Sequence, residues 1–330
     1  MMEMNLRSLD IPILPYLSEE YFTGTEELSG RLLLSEADIE KQAEQLRQLG
    51  YNLSLDAQKG YRIISRPDIL LPLEIKNGLT TGYIGQNIYY FPELISTNIT
   101  ANQLAGGKLD KIREGTIVIA DRQSRGKGRA EKRWISPPGG IWVSIILYPD
   151  TIPSRMSLIT LMAAVAVAKT IIKLFPQTNV QIKWPNDVLI DNRKVCGILT
   201  EMSTVANTIK WVIVGIGINA NNDSTHLPEE IRENTLSLKE VSGQSIIRAN
   251  FIRNLCIELE GYYELLKKGD SALILKEWKS YNNILGKRID VSIGDKIITG
   301  KAIALSEKGA LILKTDTGEI EEIISGSVLP

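Results

Sequence analysis

Histidine and cysteine are almost missing from this chain. One histidine, His226, and two cysteines, Cys196 and Cys256, occur among 330 residues. Chemistry that needs a pair of histidines is excluded, and a Ser-His-Asp triad finds no support. Neither a disulfide framework nor a cysteine-rich zinc site can be assembled, and no other metal-ligand pattern is read. An excess of charge of one sign is also lacking. Thirty-eight Lys and Arg face 39 Asp and Glu, a net charge of −1, so no global field draws the chain to nucleic acid or membrane and any anion site has to be local. The first thirty residues hold no basic start followed by an apolar stretch, so no secretory signal is read. The longest apolar stretch, 156–168, gives way to Lys169 and Lys173. It falls short of a membrane span of about 20 residues and predicts a buried helix. The expected location is the cytoplasm, away from membrane.

What remains is an ordinary globular composition in a chain long enough for two or three domains. Residues 1–66 predict a winged helix-turn-helix: a helix over 25–33, a turn, a second helix over 35–49 that Ser35 caps with Asp38 at capping-box spacing, and a hairpin over 51–65 about Gln58-Lys59-Gly60. Ile39, Ala43 and Leu46 fall on one face of the second helix. This layout suits DNA, but its charge does not. Seven cations meet eleven anions over residues 1–66, a net −4, and Glu36, Asp38 and Glu40 lie where a recognition helix would meet phosphates. Packing or dimerisation is the other use of such a unit. Residues 67–85, with Pro67, Pro72, Gly78, Gly82 and Gly85, read as a partly ordered linker. Over 86–284, strands at 116–120, 141–147, 180–184, 195–201 and 210–218 alternate with helices at 157–175 and 250–267. Asp191-Asn192 makes a tight turn between short strands, so part of the sheet is antiparallel. The fold class is α+β with a central mixed sheet. Residues 285–330 carry short strands separated by Gly294-Asp295, Lys308-Gly309 and Thr317-Gly318, the pattern of a small barrel.

Four segments carry chemistry. The run QSRGKGRAEKRWISPPGG, 123–140, places five cations beside Gly126 and Gly128 and ends at Trp134 and Pro137-Pro138. Glycine lets backbone approach a ligand, the cations supply countercharge, and the indole offers a flat apolar face. A plain basic surface loop has the same composition. KWPND, 183–187, exposes Asn186 and Asp187 at a strand end, where Pro185 stops ladder pairing; a simple Asx turn is the alternative. KVCGIL, 194–199, starts a strand with a cation and breaks it with Gly197, marking either close approach or a bulge. GIGIN, 215–219, removes side chains at alternate positions, clearing space on one face for a slender ligand. No complete GxGxxG or GxxxxGK[ST] motif occurs, so a nucleotide would bind by another scheme. Cys196 reads as a small buried apolar residue with no base near it in sequence, and His226 as a solvated loop residue.

Together these segments resemble the biotin–protein ligases over nearly the whole chain. The family pattern GRGRxGxxWxSPxG is approximated by 126–139. KWPND and GIGIN are complete, and K[LI]AGIL is met with Cys196 in the alanine slot. Ser96-Thr97-Asn98 matches an upstream triplet. Lys127 replaces the second residue of GRGR, and Glu131 the later glycine. The helix-turn-helix start and barrel end resemble the bifunctional members that also repress biotin synthesis genes. The resemblance implies a central domain like the class II aminoacyl-tRNA synthetases and a C-terminal SH3-like barrel. It implies ATP, Mg²⁺ and biotin as substrates and cofactors, the biotin carboxyl carrier protein of acetyl-CoA carboxylase as acceptor, operator DNA as a further partner, and homodimers formed on ligand binding.

By the same resemblance, Ser96, Thr97, Asn98, Gln123, Gly126, Lys127, Arg129, Lys194, Gly197, Gly215 and Gly217 surround biotin. Trp134, Asn186 and Asn219 hold the adenylate, with Trp134 stacking on adenine. Lys194 bridges biotin carboxylate and α-phosphate, Arg129 adds countercharge, and Asp187 orients the acceptor amine or takes its proton. Glu131 restricts the loop and opposes phosphate, which leaves a biotin-sensing repressor with weak or lost ligase activity as the alternative. A lipoate or octanoyl transferase ranks last, because the RRxxGGGxVxH loop of those enzymes is missing.

Overall fold

The computed structural model describes residues 11–107, 112–150, 153–206, 208–223, 225 and 227–329. The reading of His226, and that of the first ten residues, lies outside this set.

The N-terminal unit holds helices α1 (Thr25–Leu32) and α2 (Glu36–Gln48) and a hairpin of β1 (Asn52–Asp56) and β2 (Gly60–Ser65). Leu33 takes left-handed backbone, φ 55°, and stops α1. Ser35 and Asp38 form the expected capping box, which satisfies two orphan donors at the start of α2. Ile39, Ala43 and Leu46 are fully buried on one face, while Glu36, Asp38 and Glu40 are exposed. Gly60 is required where it stands: a Cβ there would lie 2.1 Å from the Thr23 carbonyl oxygen. Its absence lets Thr23 and Tyr61 exchange two backbone hydrogen bonds.

After the short helix α3 (Pro72–Lys76), the chain builds one large sheet. Its parts are β3 (Ile88–Leu94), α4 (Thr97–Gly106), β4 (Ile117–Lys127), β5 (Arg133–Ser136), β6 (Ile141–Leu147), α5 (Met156–Leu174), β7 (Val180–Lys183), β8 (Asp187–Ile190), β9 (Arg193–Val205) and β10 (Thr208–Ile218). The strand order is β3-β4-β6-β10-β9-β8-β7, with β5 added to β4. Only the β3–β4 pair is parallel. Asp191 and Asn192, both at positive φ, turn β8 into β9 as the sequence predicts. Four helices follow: α6 (Glu229–Arg232), α7 (Leu238–Ser242), α8 (Arg248–Lys267) and α9 (Ala272–Tyr281).

Period-two alternation assigns the faces of the sheet. Ile117, Ile119, Ile145, Val212 and Val214 join the main core with α5, α8 and α9. Val118, Ile146 and Ile213 face the other way and pack with Ala101 of α4. Helix α5 is longer than the predicted apolar stretch. At 19 residues it is long and apolar enough to cross a membrane by length and composition, yet most of it lies inside the core.

Strands β11 (Arg288–Ile293), β12 (Lys296–Leu305), β13 (Leu311–Thr315), β14 (Ile320–Ile323) and β15 (Ser327–Val328) form an antiparallel five-stranded sheet, ordered β14-β13-β12-β11-β15, of the SH3-like type. Val291, Ala302, Leu311 and Leu313 belong to the same core as α5, and Trp184 Nε1 donates to the Gly309 carbonyl at 3.3 Å. The C-terminal sheet is therefore packed onto the central one.

Residues 67–85 are better described as a seam than a linker. Leu71 enters the N-terminal core and Leu70 the central one. Arg248, 3% exposed, closes the seam. Its Nε donates to both Asp68 carboxylate oxygens at 2.8 and 2.9 Å, Nη2 to the Asp68 carbonyl at 2.7 Å, and Nη1 to the Gly140 carbonyl at 2.7 Å. Asp121 lies 3.3 Å from Nη2. Burying this guanidinium is tolerable because every face of it meets an acceptor.

Candidate active site

On the α4 face of the sheet, β10 carries Ile213, Gly215 and Gly217 in alternation. Beyond Ile213 the sheet loses its side chains, and a cavity of about 430 Å³ opens above it. Strand β9 adds Gly197 directly opposite Gly217. The glycines do leave room on this face, but protein fills part of it. A Cβ on Gly215 would sit 2.1 Å from Asn98 Oδ1, and one on Gly217 2.5 Å from Trp134 Nε1. One on Gly197 would sit 2.8 Å from the Trp134 ring. Trp134 thus lies over the Gly197–Gly217 floor, edge-on to Trp142 at 6.4 Å between ring centroids. Its buried Nε1 has no partner among the described residues.

The basic segment is a strand pair more than a loop. β4 runs on to Lys127, and β5 returns from Arg133 with Lys127 opposite Arg133. Residues 128–132 make the turn, closed by Gly128 N donating to Lys132 O at 2.6 Å. Ala130 and Glu131 both take left-handed backbone, φ 52° and 55°. This conformation suits glycine and strains a residue with a Cβ, so the glycine that the motif has in this slot is the unstrained residue and Glu131 the strained one. Gly126 is the one predicted site residue that does not line the cavity. Its Cβ would meet Trp134 O at 2.4 Å and Ser136 Oγ at 2.6 Å, so it is glycine to let β5 close on β4.

The hairpin's cations meet those of the sheet. Lys127, Arg129, Lys183 and Lys194 all line the cavity, with Asp187 the one carboxylate among its described lining residues. Lys194 Nζ lies 2.7 Å from Asp187 Oδ1 and 5.1 Å from the Trp134 ring centroid. Arg129 Nη1 donates to Asn186 Oδ1 at 3.0 Å and to the Gly326 carbonyl at 2.9 Å. Burial lowers the pKa of this guanidinium, with Asp187 opposing. Asn186 is fixed in turn by its Nδ2, which donates to Ile198 O at 3.0 Å. Asn219 is buried, and its Oδ1 accepts from Asn222 Nδ2 at 3.1 Å.

At the other end of the cavity, Gln123 Oε1 accepts from Thr97 N at 2.8 Å and Thr97 Oγ1 at 3.2 Å. Gln123 Nε2 donates to Ser136 Oγ at 2.8 Å. Asn98 is buried in a structural network: Nδ2 donates to Glu201 at 2.6 Å, and Oδ1 receives Ser144 Oγ at 2.6 Å. Ser96, at the start of α4, completes this wall. Several residues were not foreseen. Ser144 was detectable as a lone serine within IWVSIIL. Lys183 opens KWPND and Lys132 belongs to the cation-rich run, but neither was given a place in the site. Ser327, Val328 and Leu329 of the C-terminal sheet also line the cavity, and nothing local in their sequence marks them. Both cysteines are buried, and burial raises the Cys196 thiol pKa far above its usual value, as suits an inert residue.

The Biotin/lipoate A/B protein ligase family matches residues 92–219, and the Biotin protein ligase C terminal domain matches 284–329. The bifunctional ligase/repressor BirA of Bacillus spizizenii is 36% identical over 330 residues, covering 99% of both chains. The chain belongs to the biotin protein ligase family. Within it, the Escherichia coli bifunctional ligase/repressor BirA is 26% identical over 98% of both chains. The biotin–[acetyl-CoA-carboxylase] ligase of Paracoccus denitrificans is 28% identical over 68% of this chain and 92% of its own. Among solved structures, the Aquifex aeolicus biotin protein ligase in complex with biotin and ATP shares 29% identity at a TM-score of 0.62. It covers 74% of this chain and 98% of its own.

Proposed function

We propose that this biotin protein ligase activates biotin with ATP and transfers it to a lysine of the biotin carboxyl carrier protein of acetyl-CoA carboxylase, in the cytoplasm. One observation carries the site assignment: Arg129 and Lys127 of the hairpin and Lys194 of β9 share one cavity with Asn186, Asp187 and Gln123. In the first half-reaction a biotin carboxylate oxygen attacks the α-phosphorus of ATP, and the Pα–O bond to pyrophosphate breaks. Two anions are brought together, so countercharge decides the rate. Lys194 stands between them, and Arg129, held rigidly by Asn186 and Gly326, needs no reorganisation. Gln123, Thr97 and Ser96 hold the biotin head. The Gly197–Gly217 floor and Trp134 form the apolar wall that keeps water from the mixed anhydride.

In the second half-reaction the acceptor amine attacks the acyl carbon, and AMP leaves. A lysine with a pKa of about 10.4 is mostly protonated near neutrality, and Lys194 favours its neutral form by repulsion. Asp187 is already engaged by Lys194, so its role is to position that ammonium and orient the amine. The cavity offers too few carboxylates for a dedicated Mg²⁺ cage, and the described residues hold no cluster of three acidic, His or Cys side chains. Mg²⁺ is therefore assigned to ATP, as the counter-ion of its phosphates.

The test is incubation of the chain with biotin, ATP, Mg²⁺ and a biotin carboxyl carrier domain, expecting one labelled lysine. No label, with a control ligase active, contradicts the assignment. A second role, biotin-dependent repression by a ligand-linked homodimer, is favoured by the names of the full-length relatives and by the helix-helix-hairpin unit. Because that unit is acidic, the deciding test is a salt-dependent mobility shift with an operator fragment; no binding at low salt confines residues 1–66 to packing.

A further inference from the structure

Glu201 stands on β9 two residues beyond Leu199, on the sheet face that carries Gly197. It is half-buried and does not line the cavity. Its partner among the described residues is an amide, not a cation: Asn98 Nδ2 donates to Glu201 Oε2 at 2.6 Å. The same Nδ2 reaches the Leu199 carbonyl at 3.3 Å. A carboxylate and a carbonyl only accept, so the amino end of Asn98 is fixed on that side and Oδ1 is turned the other way, over Gly215. There the fully buried Ser144 Oγ lies 2.6 Å from Asn98 Oδ1 and 2.7 Å from Thr97 Oγ1.

The contacts Asn98 Oδ1–Ser144 Oγ, Ser144 Oγ–Thr97 Oγ1 and Thr97 Oγ1–Gln123 Oε1 (3.2 Å) form a row of oxygens. Each contact needs a hydrogen. The Ser and Thr hydroxyls supply one apiece, and the amide carbonyls at the two ends have none to give. The row is one donor short, and the longest contact, at Gln123, is the one left wanting. Thr97 and Gln123 both line the cavity. We propose that Glu201 is a positioning residue: by fixing the Asn98 amide it keeps this wall short of a donor, so that the wall selects an acid whose ring carries an N–H. The inference rests on the ligase reading given above, since biotin's ureido ring carries N–H donors and a dithiolane ring has none. With such an N–H on Gln123 or Thr97, Thr97 turns its proton to Ser144, Ser144 keeps its own on Asn98, and every contact is satisfied. Were Asn98 reversed, Nδ2 would donate to Ser144, Ser144 to Thr97 and Thr97 to Gln123. The row would then be complete without a ligand, and the ligand's N–H would have to displace a bond already made. Without Glu201, only the 3.3 Å contact to Leu199 opposes that reversal.

The test is calorimetric titration of the full-length chain with biotin alone. Glu201→Met keeps the bulk and removes the acceptor, and should weaken biotin about tenfold. In the ligase assay the KM for biotin should rise in the same proportion, with kcat and the KM for ATP within about twofold of the parent. Glu201→Gln still offers an oxygen to Asn98 Nδ2 and should bind biotin within about threefold of the parent. Thr97→Val cuts the row, so adding Glu201→Met to it should cost less than about twofold more. Ser144→Ala leaves residue 201 untouched and frees the Thr97 proton for Gln123, and it too should weaken biotin about tenfold. Parental affinity in Glu201→Met or in Ser144→Ala overturns the proposal. So does a Glu201→Gln as weak as Glu201→Met, or the full Glu201→Met loss in the Thr97→Val background, either of which makes Glu201 a plain structural anchor. No heat from the parent overturns the ligase reading itself, whereas a parent that binds biotin beside variants that bind it equally overturns this inference alone.

Discussion

Replacing Lys194 by alanine separates catalysis from folding. Its backbone is fixed without the side chain: Lys194 N donates to Asn234 O at 2.7 Å, and Lys194 O accepts from Leu236 N at 3.0 Å. The side chain's one ion pair, to Asp187, is partly solvated, with exposures of 31% and 23%. Such a pair contributes at most about 1 kcal/mol, and the 5.1 Å approach to Trp134 adds about 0.5–1 kcal/mol at a partly exposed site. The fold should therefore lose no more than about 2 kcal/mol. Catalysis should lose more, because the proposed reaction sets the same ammonium between two substrate anions. Removing one preorganised donor costs about 3–4 kcal/mol of transition-state stabilisation, a fall of about 10²–10³ in rate. Biotin-dependent pyrophosphate release and urea denaturation, measured on the same preparation, give both numbers. Pyrophosphate release within tenfold of the parent would refute the role. So would unfolding of the variant in buffer, which would mean that Lys194 is structural.

Glu131→Gly should relieve about 1 kcal/mol of left-handed strain and remove a carboxylate from the hairpin turn, so adenylation should speed up or biotin leave more slowly; unchanged rates for both would mean that the turn tolerates the acid. Gly217→Ala sets a methyl 2.5 Å from Trp134 Nε1, so it should change tryptophan fluorescence and weaken biotin binding about tenfold or more through overpacking; native spectra and affinity would contradict the packing described. Arg248→Ala leaves Asp68 and Asp121 facing each other without their shared cation, and should cost about 3 kcal/mol of stability, read as a lower urea midpoint. Burial raises the Cys256 thiol from 9.0 to about 12. Its contribution to stability is therefore intact below pH 9 and is lost as the pH climbs towards 12. Neither cysteine should react with a thiol reagent at pH 8 until the chain unfolds; fast labelling of the native protein would contradict their burial.

Local signals were the readable ones. The Ser35–Asp38 box, the Ile39–Ala43–Leu46 face and the Asp191-Asn192 turn depend on neighbours in sequence, and the structure has each where the pattern puts it. Strand β6 was bounded correctly because both ends meet glycine or proline signals. Long-range partners were not readable. Trp134 fills the space left by Gly197 and Gly217 because three separate segments meet there. Gly126 was taken for a ligand contact, but its space is claimed by Trp134 O and Ser136. The hydrogen bond from Arg129 to Gly326 spans nearly two hundred residues. Residues 67–85 looked like a linker from their prolines and glycines, and only long-range contacts reveal them as a seam: Leu70 and Leu71 entering two different cores, and the buried Arg248.

The most direct test is pyrophosphate release from ATP, comparing biotin with lipoate as the acid substrate. If Lys127, Arg129 and Lys194 serve the biotin carboxylate and the α-phosphate of ATP in one cavity, release occurs with biotin and requires Lys194. Lipoate then gives little or none. Release with lipoate but not biotin, or no release with either acid, contradicts the account.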